Sequence, residues 1–188
     1  MPDLVAILRS VPASKVRDHR IPGRPGPYAP VGIMCHHTAV AGPGLASCKR
    51  GRPDLPGPLC QININRQGVV NVVTDGRANH AGSGSSVVLR DVKANIAPIA
   101  DARKRRLTDD TDGNRWFIGV EVDNDGVGEP YSPEVQAALI NVCVALCQHF
   151  GWSAERVIHH REWTSRKIDM SWRGALRPRI RARLKAAA

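Results

Sequence analysis

Two strand-like segments, each closing on a pair of histidines, constrain this chain more than any other feature. One is VGIMCHHTAV around His36 and His37, and the other is RVIHHREWTSRKID around His159 and His160. Their short, β-branched apolar runs read as strands. Alternation along the first puts Met34 and His36 on one face and Ile33, Cys35 and His37 on the other. Only one histidine of that pair can therefore enter a given pocket. The second segment continues to Lys167 and Asp169. Two imidazoles and a carboxylate are a donor set that suits zinc, which in catalytic sites keeps one position open for water.

The other elements surround these strands. Leu4 to Leu8 suggests a short first helix, stopped by the Pro/Gly-rich run IPGRPGPYAP. QININ and VVNVVTD flank the turn NRQG and read as a hairpin. WFIGVEVDN is a further strand, with Glu121 on the face of Gly119 and opposite Val120 and Val122. Ser132 and Pro133 open a helix whose apolar stripe is Val135, Leu139, Val142, Leu146 and Phe150, and Gly151 ends it. A last helix is expected from about Trp172, with the stripe Leu176, Ile180 and Leu184 and with Pro178 in its first turn. GRPDLPGPL reads as loop, and the polar stretch from NHAGSGS to Asn114 as a surface insertion. The expected class is α/β, a central mixed β-sheet flanked by helices.

A chain of 188 residues with 42% hydrophobic content fits one domain with a sizeable core. We expect a single catalytic domain over 1–188, with core motifs at about 31–169, an N-terminal helical region at 1–30 and a basic helix at about 172–188. MPDLVAILRS is too short and weakly apolar for a signal peptide, and no stretch has transmembrane length. Five cysteines at irregular spacing make a poor disulfide framework. Cys143 and Cys147 read as buried thiols on one helix face, and Cys48 and Cys60 could bridge only outside a reducing compartment. The net charge of +10 gathers in Arg103 to Arg106 and from Arg173 to Lys185, and calls for an anionic partner or simply a solvated face. No nucleic-acid motif accompanies it.

GIMCHHTA, GRPDLPGPL, NRQGVV, GRANHAG, FIGVEVDN and HHREWTSRKID occur in this order from about Val31 to Asp169. Together they resemble the zinc-dependent N-acetylmuramoyl-L-alanine amidases of the amidase type 2 family, relatives of the peptidoglycan recognition proteins. Within it the similarity is to the amidase domain of actinobacteriophage endolysins. The resemblance implies Zn²⁺ as cofactor, with His36, His160 and Asp169 as ligands. His37 is then a neighbour of the site, and His159 stays open as an alternative to His160. It also implies Glu121 as the base, Lys167 as the oxyanion partner, and His80, Asn79 and Trp163 in the substrate groove. Two departures stand out: Cys60 occupies a position where some members carry a catalytic tyrosine, and Met170 replaces the proline that usually follows the KxD motif.

The implied activity is hydrolysis of the amide between the lactyl group of N-acetylmuramic acid and L-alanine of the stem peptide. Its implied setting is host lysis by a phage enzyme made in the host cytoplasm, released through a holin and active at the cell wall. Expected partners are peptidoglycan and anionic wall polymers, with no nucleic acid, no membrane insertion and a monomeric state. The alternative is a non-catalytic peptidoglycan-binding module.

Overall fold

A computed structural model describes residues 2–11, 15–98, 102, 107–172 and 176–186. Six strands form one mixed sheet: β1 (Val16–Asp18), β2 (Gly32–His37), β5 (Ile62–Ile64), β6 (Val70–Val72), β9 (Phe117–Val122) and β10 (Val157–His159). Their spatial order is β1-β6-β5-β9-β2-β10. The central strands β5, β9, β2 and β10 run parallel; β6 lies antiparallel to β5 and carries β1 parallel to itself. β5 and β6 form the hairpin expected around NRQG. Two-stranded ribbons β3 (Gly51–Arg52) with β4 (Leu55–Pro56), and β7 (Ser83–Gly84) with β8 (Thr111–Asp112), lie outside the sheet.

One sheet face buries Ile33, Cys35, Ile62, Ile118, Val120 and Val122 against helix α4 (Pro133–Phe150), with α1 (Leu4–Arg9) and α6 (Leu176–Ala186) beside it. α4 starts where Ser132 Oγ accepts the Val135 amide, and it ends at Gly151 in the left-handed region, φ 67°. On the opposite face, Met34, Phe117 and Ile158 pack with Trp163 and with Val88, Leu89 and Val92 of α3 (Ser86–Lys93). This helix corrects the expectation of a polar insertion. Ser85 caps it, and its three buried apolar residues recur at helical spacing, but eight residues are too few to dominate the polar sequence around them. The Arg103–Arg106 cluster and the Arg173 end of the basic tail lie outside the described residues. Short helices α2 (Leu45–Arg50) and α5 (His160–Trp163) complete the set.

All five cysteines are free and buried. Among the described residues, no helix is long and apolar enough to cross a membrane.

Candidate metal centre and cleft

Parallel pairing of β2 with β9 sets His36 beside Glu121, and β10 brings the second histidine pair to the opposite edge of β2. β10 ends at His159, which by alternation shares the α4 side with Val157. His160, the next residue and the first of α5, lies on the other face, the side of Ile158, Met34 and His36. His36 Nδ1 lies 3.0 Å from His160 Nδ1 and 3.0 Å from Asp169 Oδ2, and His160 Nδ1 is 3.1 Å from the same oxygen. The three residues are 1%, 3% and 9% exposed.

The remaining ring nitrogens are committed. His160 Nε2 is 3.0 Å from Ala81 O, which can only accept, so Nε2 carries the proton. His80 Nε2 is 3.1 Å from Phe117 O and is a donor by the same reasoning; its Nδ1 then accepts from His36 Nε2 at 3.0 Å. In neutral rings both Nδ1 atoms are consequently left as lone pairs, facing each other and a carboxylate oxygen. Three acceptors at this spacing repel unless a proton or a cation lies among them. Tetrahedral zinc with bonds of about 2.0–2.1 Å would space its ligands by about 3.3 Å, close to the observed triangle.

The electrostatics agree. Burial, assisted by His160, lowers the His36 pKa to about 4, so the ring is neutral at working pH. Burial opposes ionisation of Asp169, whereas positive charge at the two Nδ1 atoms outweighs it and holds the carboxyl well below its usual range; with the rings neutral, a cation among the three atoms would supply that charge. Glu121 is shifted the other way: burial first, then the Asp169 charge, raise it well above an ordinary carboxyl, and Lys167 offsets this in part. Its Oε2 is buried and has no hydrogen-bond partner.

The cleft has a volume of about 390 Å³, and His36, His80, Asn79, Glu121, His160, Lys167 and Asp169 all line it. His80 does so with both nitrogens engaged, its ring packed on Gly119, where a Cβ would come within 2.6 Å of Cγ. It braces His36 rather than offering a free group to a ligand. Asn79 lines the cleft, and its amide nitrogen donates to Pro56 O at 2.9 Å. Trp163 does not belong to the groove: it is fully buried, with Gly84 and Gly113 packed on the indole and its Nε1 donating to Gly82 O. His37 accepts the Ser171 amide at 3.2 Å, which fixes the segment just beyond Asp169. His159 is buried outside the ligand triangle with Nδ1 unpartnered. Cys60 is fully buried, and burial pushes its thiol well above the ordinary value, so it is a neutral core residue. Met170 is buried in the core next to Asp169. Sequence reasoning missed Arg52 and Arg166, two further cations lining the cleft; they stand within GRPDLPGPL and HHREWTSRKID, but nothing in those segments singled them out.

Residues 26–172 match the family Amidase_2, described as N-acetylmuramoyl-L-alanine amidase. The chain belongs to this family. Its sheet flanked by helices is the fold of several solved structures. One similar structure is a mutant endolysin from Bacillus subtilis, at 18% identity and a TM-score of 0.60, covering 89% of this chain and 99% of that one. Another is the endolysin amidase LysCS from Clostridium intestinale URNW, at 15% and 0.54, covering 90% and 95%. A selenomethionine derivative of AmpD matches at 18% and 0.58, covering 88% and 93%. At such identities the likeness is one of fold. No curated protein matches the amidase in sequence at a significant level.

Proposed function

We propose that this amidase is zinc-dependent and acts as a phage endolysin, cleaving the amide between N-acetylmuramic acid and L-alanine of the stem peptide. The observation that carries the metal reading is the convergence of His36 Nδ1, His160 Nδ1 and Asp169 Oδ2, with every other nitrogen of the two rings already used as a donor. Bound there, zinc would acidify a water and polarise the scissile carbonyl.

The chain's own groups supply the rest. Glu121 faces the cleft with an unpartnered carboxylate oxygen and takes the proton of the attacking water as general base. A cation in the cleft counteracts the upward shift of its pKa and keeps it ionised. Lys167 brings positive charge to the same cleft and stabilises the oxyanion of the tetrahedral intermediate. Asn79 offers the cleft wall a polar edge for the peptide. The lytic role draws support from the titles of two similar structures, both endolysins. Holin-dependent release and attraction of the +10 chain to anionic wall polymers belong to the same proposal.

The test is a mass-spectrometric digest of purified peptidoglycan, with and without a zinc chelator, beside metal analysis of the protein. Free stem peptides beginning with L-alanine, lost on chelation and regained with zinc, are the expected result. Cleavage that survives complete metal removal would sink the zinc reading.

A further inference from the structure

Among the described residues, the exposed large apolar side chains are Val40, Ile96, Val127 and Ile168. Val40 and Ile168 both line the cleft that contains His36, His160 and Asp169. Ile168 is 62% exposed and stands between Lys167 and Asp169; Val40 is 38% exposed on the loop that follows β2. Single exposed aliphatic residues are ordinary on a protein surface. Two facing one reactive cleft are not scattered singly.

Both side chains are carried on fixed backbone. Arg66, paired with Glu129, donates from Nη2 to Val40 O at 2.8 Å and from Nη1 to Gly42 O at 2.7 Å. On the other side, the Arg161 amide donates to Asp169 O at 2.7 Å, and His37 accepts the Ser171 amide. The cleft therefore presents these apolar surfaces ready-made. Leu55 and Leu59, half-buried, continue the apolar lining, whereas Arg52, Asn79, Arg166 and Lys167 are polar and suit the carbonyls and carboxylates of a peptide.

We infer that Val40 and Ile168 form an apolar seat for the methyl group of the alanine whose nitrogen leaves in the reaction, and that they select alanine over glycine at the first position of the stem peptide. This rests on the amidase reading above. The alanine methyl lies one carbon from the scissile nitrogen. Ile168 lines the same cleft as His36, His160 and Asp169, so its side chain borders the space that must receive that bond. A small aliphatic pocket discriminates by excluding water from a methyl, which a glycine substrate cannot provide.

The test uses two synthetic N-acetylglucosaminyl-N-acetylmuramoyl peptides that differ only in L-alanine or glycine at the first position. The metal-loaded wild-type protein should favour the alanine substrate in kcat/KM by roughly tenfold, the size of one buried methyl. Ile168→Ser and Val40→Ser should each move that ratio toward one, and Ile168→Val should keep it. Both sites are exposed, so the serine variants should fold, which circular dichroism checks. No preference in the wild type, or equal losses on both substrates in the serine variants, overturns the seat. A wild type that cleaves neither substrate overturns the amidase reading and the seat with it.

Discussion

His36 Nε2 lies 3.0 Å from His80 Nδ1, and His80 in turn donates to Phe117 O, so the first histidine of the cleft is held from behind by a second one. The arrangement fixes which His36 nitrogen faces Asp169. Groups that brace a metal-binding imidazole in this way typically govern affinity by 10–100-fold. His80→Ala should weaken zinc binding by about that factor, measured by competition with a chromophoric chelator. An unchanged zinc affinity with a raised KM would return His80 to a substrate-binding role.

His36→Ala and Asp169→Ala each remove one corner of the triangle. Zinc content after dialysis, read by atomic emission, should fall to background in both, and turnover should vanish with it. Retention of stoichiometric zinc by either variant would refute the ligand set. His159→Ala is the informative comparison, since His159 lies outside the triangle and should leave zinc content intact.

Glu121→Gln keeps the shape of a buried side chain but removes its capacity to accept a proton as a base. Zinc should stay bound while kcat falls by roughly 10²- to 10⁴-fold, the usual contribution of a positioned base. Because Oε2 is buried and unpartnered, the amide should not lower the melting temperature. A rate within twofold of wild type would assign the proton transfer elsewhere.

Much of this site was legible because its constraints are local in sequence. Strand alternation placed His36 with Met34 and Glu121 with Gly119, and the structure keeps both pairs on shared faces. The ends of α4 followed from Ser132, Pro133 and Gly151. What could not be read depends on partners brought in by the fold. The choice between His159 and His160 turns on the register of β10 against β2, which pairs Ile158 with Met34 and His159 with Cys35 and so leaves His160 on the His36 side. Trp163 looked like a groove residue beside His160, but Gly84 and Gly113 close over its indole. His80 reads as an isolated histidine until β2 and β9 supply its two partners. α3 was hidden by its brevity, as were β1 and α2.

Burial sets a pH limit on the metal-free fold. His36 and His159 both titrate near 4 in the folded protein, chiefly through desolvation, against about 6.5 in an unfolded chain. Between those values the unfolded state binds more protons, so stability present above pH 6.5 is lost as the pH falls toward 4. One such imidazole contributes on the order of 3 kcal/mol. Melting temperatures of the metal-free protein should drop across this window, and His159→Gln should make the drop shallower. An identical pH profile in that variant would exclude His159 as a contributor.

The most consequential contact outside the cleft joins α6 to α5. Arg177 donates from Nη2 to Glu162 Oε1 at 2.7 Å and from Nη1 to Oε2 at 2.9 Å, and Oε2 also accepts the His159 amide at 2.8 Å. Glu162 is almost wholly buried, and it stands two residues beyond His160. Arg177 lies past residue 172, where the family match stops, yet it neutralises a carboxylate in the helix that carries a cleft histidine. Arg177→Met leaves that charge buried without a counter-charge, which should cost about 3–5 kcal/mol in urea unfolding. Combining it with Glu162→Met should recover most of the loss, because an apolar pair needs no compensation. Arg181 also pairs with a carboxylate, Glu155, but it is half-exposed, and Arg181→Ala should cost less than about 1 kcal/mol. Equal, small losses for Arg177→Met and Arg181→Ala would show that the α6 arginines are surface charges. A large loss confined to Arg177 would show that the basic tail is part of what holds the second histidine segment in place.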